Sequence, residues 1–167
     1  AIRKVVVGRV KLHAPLIAGK EAEFAAECCK NGWLTHGPHV SLFENYIKQR
    51  TGAKYAIAVS SGTAALHLAL KAAGVGPGDK VAIPAFTFVA TANAVAYCGA
   101  EPEFVDCDVY GGLDANKLGT WLSTHKVKAV VPVHAFGHCC EMDRIKNVCE
   151  NHGAVLVEDA AQALGSY

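Results

Sequence analysis

The sequence predicts an α/β fold, a three-layer αβα unit around a mostly parallel sheet. Two observations carry this. From Lys54 onward, short apolar strands alternate with helical stretches, which is the pattern of βαβ crossovers. In addition, the polar and glycine-rich segments SSGT, AFTF, HAFGH and EDAAQ each follow a strand, the place where ligands sit in open parallel sheets.

The elements follow in order. KEAEFAAECCK, closed by Asn31-Gly32, reads as a helix with its stop signal. HVSLFENYIKQRTG is a second helix, with Val40, Phe43, Tyr46 and Ile47 on one face. GWLTHGP between them is a loop of turn formers. KYAIAV predicts a strand, SGTAALHLALKAAG a helix ended by Gly74, and KVAIPA a strand. FVATANAVAYCG reads as helical, EPEFVDC as extended, and LDANKLGTWLSTH as helical despite Gly119. KAVVPV, CEMDRIKNVCENHG and AVLVED give a final strand, helix and strand. Residues 1–53 are thus expected to form an N-terminal helical segment, and residues 54–167 the sheet-bearing part.

Composition narrows the function classes. With 167 residues, 51% of them hydrophobic and 19% charged, the chain has the balance of an ordinary globular domain with a real core. The formal net charge is +1 and no stripe of Lys or Arg forms, so neither nucleic acid nor a membrane surface is expected as a partner. AIRKVVVGRV has no apolar core suited to a signal peptide, and no segment approaches the roughly 20 apolar residues of a membrane helix. The seven cysteines include the adjacent pairs Cys28-Cys29 and Cys139-Cys140, which are poor disulfide frameworks. Reduced thiols and a cytoplasmic location are the expectation.

Each motif has a plain reading and a chemical one. In SSGTAAL, Gly62 lets a ligand approach the backbone, the free amides at the helix start favour an anion, and Thr63 adds a hydroxyl. The plain reading is an N-cap by Ser60 or Ser61. Phe88 alone reads as core. His134 and His138, with two thiols beside them, hint at zinc, but no second ligand pair with the usual spacing appears and no metal is expected. Asp159 closes an apolar strand, where an unpaired carboxylate is costly, or it caps the short segment AAQAL.

The combination is far more specific than its parts. A Gly/Ser/Thr phosphate turn, an aromatic one strand later and an acid after a later strand suit a flat, phosphorylated, nitrogen-bearing ring. The aromatic stacks on that ring, and the acid keeps a pyridine nitrogen protonated so that the ring is an electron sink. These are the needs of pyridoxal 5′-phosphate.

GWLTHGPHVSLFE, SSGTAALHLAL, PAFTFVATANAV, FVDCD, PVHAFG and VEDAAQALGS together resemble the DegT/DnrJ/EryC1/StrS sugar aminotransferases, in order and spacing, from about Leu12 to the end. The resemblance implies the aspartate-aminotransferase fold, here as an incomplete large domain of the pyridoxal-phosphate-dependent transferases. It implies that Gly62 and Thr63 bind the cofactor phosphate and Phe88 stacks on the ring. Asp159 would pair with the pyridinium nitrogen and Gln162 would lie near the ring hydroxyl. Thr35 and Gly37, in the TxGP turn, would border a sugar-nucleotide pocket. It implies glutamate as amino donor, a keto-sugar nucleotide as acceptor and a homodimer when complete.

The family's Schiff-base lysine follows the EDAAQ motif, in a segment beginning Phe-Ser-Phe, and no matching segment occurs in these 167 residues. Lys54, Lys71, Lys80, Lys126 and Lys128 fit helix ends or strand flanks. No catalytic residue is therefore assigned within this chain, which is expected to be the N-terminal part of such an enzyme. Two strands implied between KYAIAV and the strand ending at Asp159 are missing as well, a gap of about 14 Å. The alternatives are a non-catalytic module that binds cofactor or pairs with a subunit, and a sugar-dehydratase relative with His at the lysine position.

Overall fold

The computed structural model describes residues 14–166. The chain divides into two compact units, Ala1–Ala58 and Val59–Tyr167.

The first unit contains α1 (Glu21–Asn31) and α2 (Pro38–Thr51). Gly32 and Gly52 close them in the left-handed conformation, with φ 70° and 73°, where glycine has no steric penalty. Neither helix fully buries a side chain. His39 of α2 lies 4.9 Å from the Phe24 ring of α1 by centroids, and its Nε2 is 3.4 Å from Glu27 Oε2.

KYAIAV, expected as a strand, is not one. Residues 52–61 contain no strand, and Tyr55 and Ile57 are 74% and 72% exposed. A strand is held by a ladder and a covered face. Among the described residues this stretch has neither. Among the described residues the sheet accordingly has four strands where the sequence suggested five.

The second unit carries α3 (Gly62–Ala72), β1 (Lys80–Pro84), α4 (Val89–Tyr97), β2 (Glu101–Val105), α5 (Ala115–Leu122), β3 (Ala129–Val130), α6 (Met142–His152) and β4 (Val155–Leu156). A single 3₁₀ turn, Ala135–Gly137, follows β3. The strand order is β2-β1-β3-β4 and every pairing is parallel. Right-handed crossovers then require the connection to β2 and those toward β4 to lie on opposite faces. The packing obeys this.

Val81, Ile83, Ala129 and Val131 point into one core with Leu66 and Leu70 of α3 and Ala94 and Val95 of α4. Ala82 and Val130 point the other way, into a core with Leu118 and Leu122 of α5 and Ile145 and Cys149 of α6. Period-two alternation along short strands thus divides one sheet between two helical layers.

Local signals start and stop the helices. Ser61 Oγ accepts the Ala64 amide at 3.2 Å, and Asp114 Oδ1 accepts the Asn116 and Lys117 amides at 2.8 and 3.1 Å. These are N-caps. Gly153, at φ 67°, ends α6.

Main-chain pairing between the β3 and β4 segments outlasts the named strands. The Asp159 amide donates to Pro132 O at 2.9 Å, and the His134 amide donates to Asp159 O at 3.1 Å. This fixes the register by which Asp159 arrives at the carboxyl edge of the sheet. Connections leave β1 and β3 in opposite directions, so the crevice favoured for ligands opens between those two strand ends.

Candidate functional site

Three loops meet at that edge: residues 85–88 after β1, residues 131–141 after β3 and residues 157–166 after β4. The Phe86 and Phe136 rings, from the first two, stand 6.0 Å apart at a 49° tilt.

Asp159 is 9% exposed. Its Oδ2 accepts the Thr91 hydroxyl at 2.9 Å, and its Oδ1 accepts the Ala161 amide at 3.2 Å. Thr91 is 1% exposed, and its oxygen also lies 2.8 Å from the Thr87 hydroxyl. An ionised carboxylate only accepts. The Thr91 proton is therefore committed to Asp159, and Thr87 donates to Thr91 in preference to its longer contact with Phe88 O at 3.3 Å. Two hydroxyls in series thus satisfy the acid, and about two of its four lone-pair sites are left for a ligand donor. The acid does cap its own loop at Ala161, as the plain reading had it, while that other oxygen stays aimed at the crossover helix.

Phe88 is the N-cap residue of α4 and is 77% exposed. Its carbonyl accepts the Thr91 amide at 3.1 Å. A phenyl ring left in water at the mouth of a crevice offers its face to a flat ligand.

Gly62 opens α3, and a methyl group there would meet no atom within 4 Å. The Ser61 cap takes only the Ala64 amide. The amides of Gly62 and Thr63 belong to the first turn, which has no intrahelical acceptor for them. The cap therefore leaves both amides untaken. Helices α3 and α4 share one core, through Leu66, Leu70, Ala94 and Val95.

Gln162 Oε1 accepts the Phe136 amide at 2.8 Å. Phe136 is a non-glycine residue at positive φ, 54°, and this bond offsets the strain of that left-handed backbone. With one lone pair of its oxygen taken, Gln162 keeps two N–H donors for a ligand.

Thr35 and Gly37 lie in the loop between α1 and α2 of the first unit, Thr35 exposed and Gly37 half-buried as the N-cap of α2. A Cβ at Gly37 would fall 2.8 Å from Trp33 Cβ. Glycine is required there by the Trp33 side chain, its Cβ above all, quite apart from any ligand.

His134 is 3% exposed. Its Nδ1 accepts the Cys140 amide at 3.2 Å, which leaves Nε2 as the protonated nitrogen, donating to Glu158 Oε1 at 2.9 Å. This histidine is a brace between two loops, and Glu158, the other acid closing the last strand, is its partner. Burial pushes the Cys140 thiol above its ordinary pKa, and its Sγ donates to Val133 O at 3.3 Å. All seven cysteines are unpaired thiols.

The structure thus joins Asp159 to Phe88 through Thr91, and sets Gln162 against the neighbouring loop. Thr91 and Thr87 were not singled out from sequence. Their signal is the pair of hydroxyls four apart in TFVAT, one helical turn, at the start of a helix.

Residues 15–167 match the DegT/DnrJ/EryC1/StrS aminotransferase family. The chain is 44% identical over 160 residues to GDP-perosamine synthase of Caulobacter vibrioides, covering 95% of this chain and 43% of that protein. It is 47% identical over 151 residues to the spore coat polysaccharide biosynthesis protein SpsC of Bacillus subtilis, covering 90% and 39%. The structure resembles NtdA from Bacillus subtilis, solved with bound cofactor PMP, at a TM-score of 0.79 and 33% identity, covering 86% of this chain and 33% of that one. The chain spans less than half the length of these relatives.

Proposed function

Because this chain belongs to the DegT/DnrJ/EryC1/StrS aminotransferase family, we propose that its residues are part of an enzyme moving an amino group from glutamate to a keto-sugar nucleotide with pyridoxal 5′-phosphate. The observation that carries this reading is the buried Asp159 carboxylate, held by Thr91 and joined through it to the exposed ring of Phe88.

The donor set fits the cofactor. Asp159 holds a proton on the ring nitrogen, and Phe88 covers a ring face. The first-turn amides of Gly62 and Thr63, with the Thr63 hydroxyl, take the phosphate at the positive end of α3. Gln162 donates to the ring oxygen through the N–H groups that its bond to Phe136 leaves available. Bound there, pyridoxal phosphate supplies an electron sink for cleavage of bonds next to an amino-bearing carbon. Thr35 and Gly37 border the sugar-nucleotide pocket. The residue that would hold the cofactor covalently is not assigned among these positions. The relatives are a GDP-sugar synthase and a polysaccharide biosynthesis protein, which supports an activated sugar as acceptor. A cytoplasmic homodimer completes the proposal.

The test uses the intact protein with pyridoxal phosphate, glutamate and a panel of keto-sugar nucleotides, reading 2-oxoglutarate release. Cofactor binding, read by absorbance, that is weakened but still measurable in Asp159→Ala, with turnover of the unaltered protein on at least one sugar, is expected. A protein that binds no cofactor, or binds it equally well without Asp159, overturns the reading.

A further inference from the structure

We infer that Thr91 is a positioning residue that fixes the acid and the aromatic of this site relative to each other. The inference rests on the cofactor reading above and adds a residue to it.

Thr91 makes two bonds in two directions. Its hydroxyl donates to Asp159 Oδ2 at 2.9 Å, and its amide donates to the Phe88 carbonyl at 3.1 Å. One residue therefore holds the group placed at the ring nitrogen and the backbone of the group placed over the ring face. Those two come from different loops, after β4 and after β1, and 71 positions of sequence separate them by number. No direct hydrogen bond between Asp159 and Phe88 is found among the described residues.

The orientation matters because the Asp159 carboxylate, unlike its main chain, is otherwise held only by its own loop. Its remaining side-chain bond is to the Ala161 amide, two residues on. Without the Thr91 hydroxyl, the carboxylate follows its loop alone. It then also loses a donor that favours the charged form. Thr87 feeds the same chain, since its hydroxyl sits 2.8 Å from Thr91. Burial of Thr91 to 1% exposure keeps water from substituting for either partner.

The experiment measures pyridoxal phosphate affinity by titration of the intact, cofactor-free protein, with thermal unfolding as the control for folding. Thr91→Val keeps the shape and removes the hydroxyl. It is expected to weaken the cofactor about tenfold, the size of one lost hydrogen bond to a charged group. Thr91→Ser should restore affinity to within about threefold, because the donor returns. Thr91→Ala read against Thr91→Ser repeats the comparison if valine unfolds the protein, since those two differ by the hydroxyl alone. In an Asp159→Ala background, Thr91→Val should have no further effect on affinity.

Equal affinity of the valine variant and the unaltered protein overturns the inference. So does serine failing as badly as valine, which would make the methyl packing responsible. So does an undiminished Thr91→Val effect without Asp159. Failure of the broader reading looks different: the unaltered protein would not take up the cofactor, or Asp159→Ala would not change its affinity.

Discussion

The Thr91 hydroxyl lies 2.9 Å from Asp159 Oδ2, across a sequence separation of 68 residues. Two pieces of topology make the contact. β1 feeds α4, whose third residue is Thr91, and the β3–β4 register carries Asp159 to the same end of the sheet. A buried acid thereby finds a donor in place of a cation, which answers the cost of placing it at the end of an apolar strand.

Asp159→Asn should separate fold from chemistry. An asparagine oxygen still accepts the Ala161 amide, so the melting temperature should move by only a few degrees. An amide does not hold a ring nitrogen protonated. The intact protein's kcat should fall about 100-fold or more, the scale seen when preorganised charge is removed. Steady-state kinetics beside a thermal melt would check this, and unchanged turnover would refute the assigned role.

Phe88→Ala should leave stability within about 0.5 kcal/mol, because the ring is already 77% exposed. Cofactor affinity should drop about threefold to tenfold, the contribution of one aromatic face. Equilibrium unfolding and cofactor titration on the same preparation would test it. A large loss of stability would mean that the ring packs in solution.

Gly37→Ala should destabilise the first unit by about 1–3 kcal/mol, since the new methyl overlaps Trp33 Cβ. The strain is not a matter of dihedral angle, because Gly37 is extended at φ −170°. Tryptophan fluorescence during denaturation would report it. Gly37→Ala combined with Trp33→Gly, which removes the Cβ that the new methyl meets, should recover much of the loss of fold, read by circular dichroism. If Gly37 also borders the sugar pocket, turnover would stay low in that double variant.

Cys149 gives a pH test. Burial pushes its thiol up to about 11, and it is 1% exposed. In the unfolded chain the thiol ionises near its ordinary value, so between about pH 9 and 11 the unfolded state holds fewer protons than the folded one. Stability from this group is complete below pH 9 and is lost as pH rises to 11, by about 2–3 kcal/mol in all. Denaturation series from pH 8 to 11 on the protein and on Cys149→Ala should converge at the alkaline end. At pH 8 Cys149 should resist alkylation while exposed Cys29 reacts.

Much of this architecture is legible in the letters. Gly32, Gly52 and Gly153 mark where helices stop, Ser61 and Asp114 mark where they start, and the reach of those signals is a single turn. Asp159 and Phe88 are legible because each follows a strand, and Gly62 because it opens a helix behind a serine cap. What is not legible is any fact that depends on which strand lies beside which. The Thr91–Asp159 bond needs the parallel order β2-β1-β3-β4, and the His134–Glu158 bond needs the β3–β4 register. KYAIAV shows the reverse limit: its composition favours a strand, yet composition does not supply a neighbour for the ladder.

That same stretch has a practical outcome. In the run from Ala53 to Val59, the Ala53 and Ala58 amides are taken by Thr51 Oγ1 and Glu44 Oε1, while Tyr55, Ile57 and Val59 project into solvent. An uncovered, strand-prone segment of this kind templates β-augmentation by any extended polypeptide that meets it. Concentrated preparations of these residues alone should cloud and gain thioflavin fluorescence. A lysine in place of Ile57 should keep them clear.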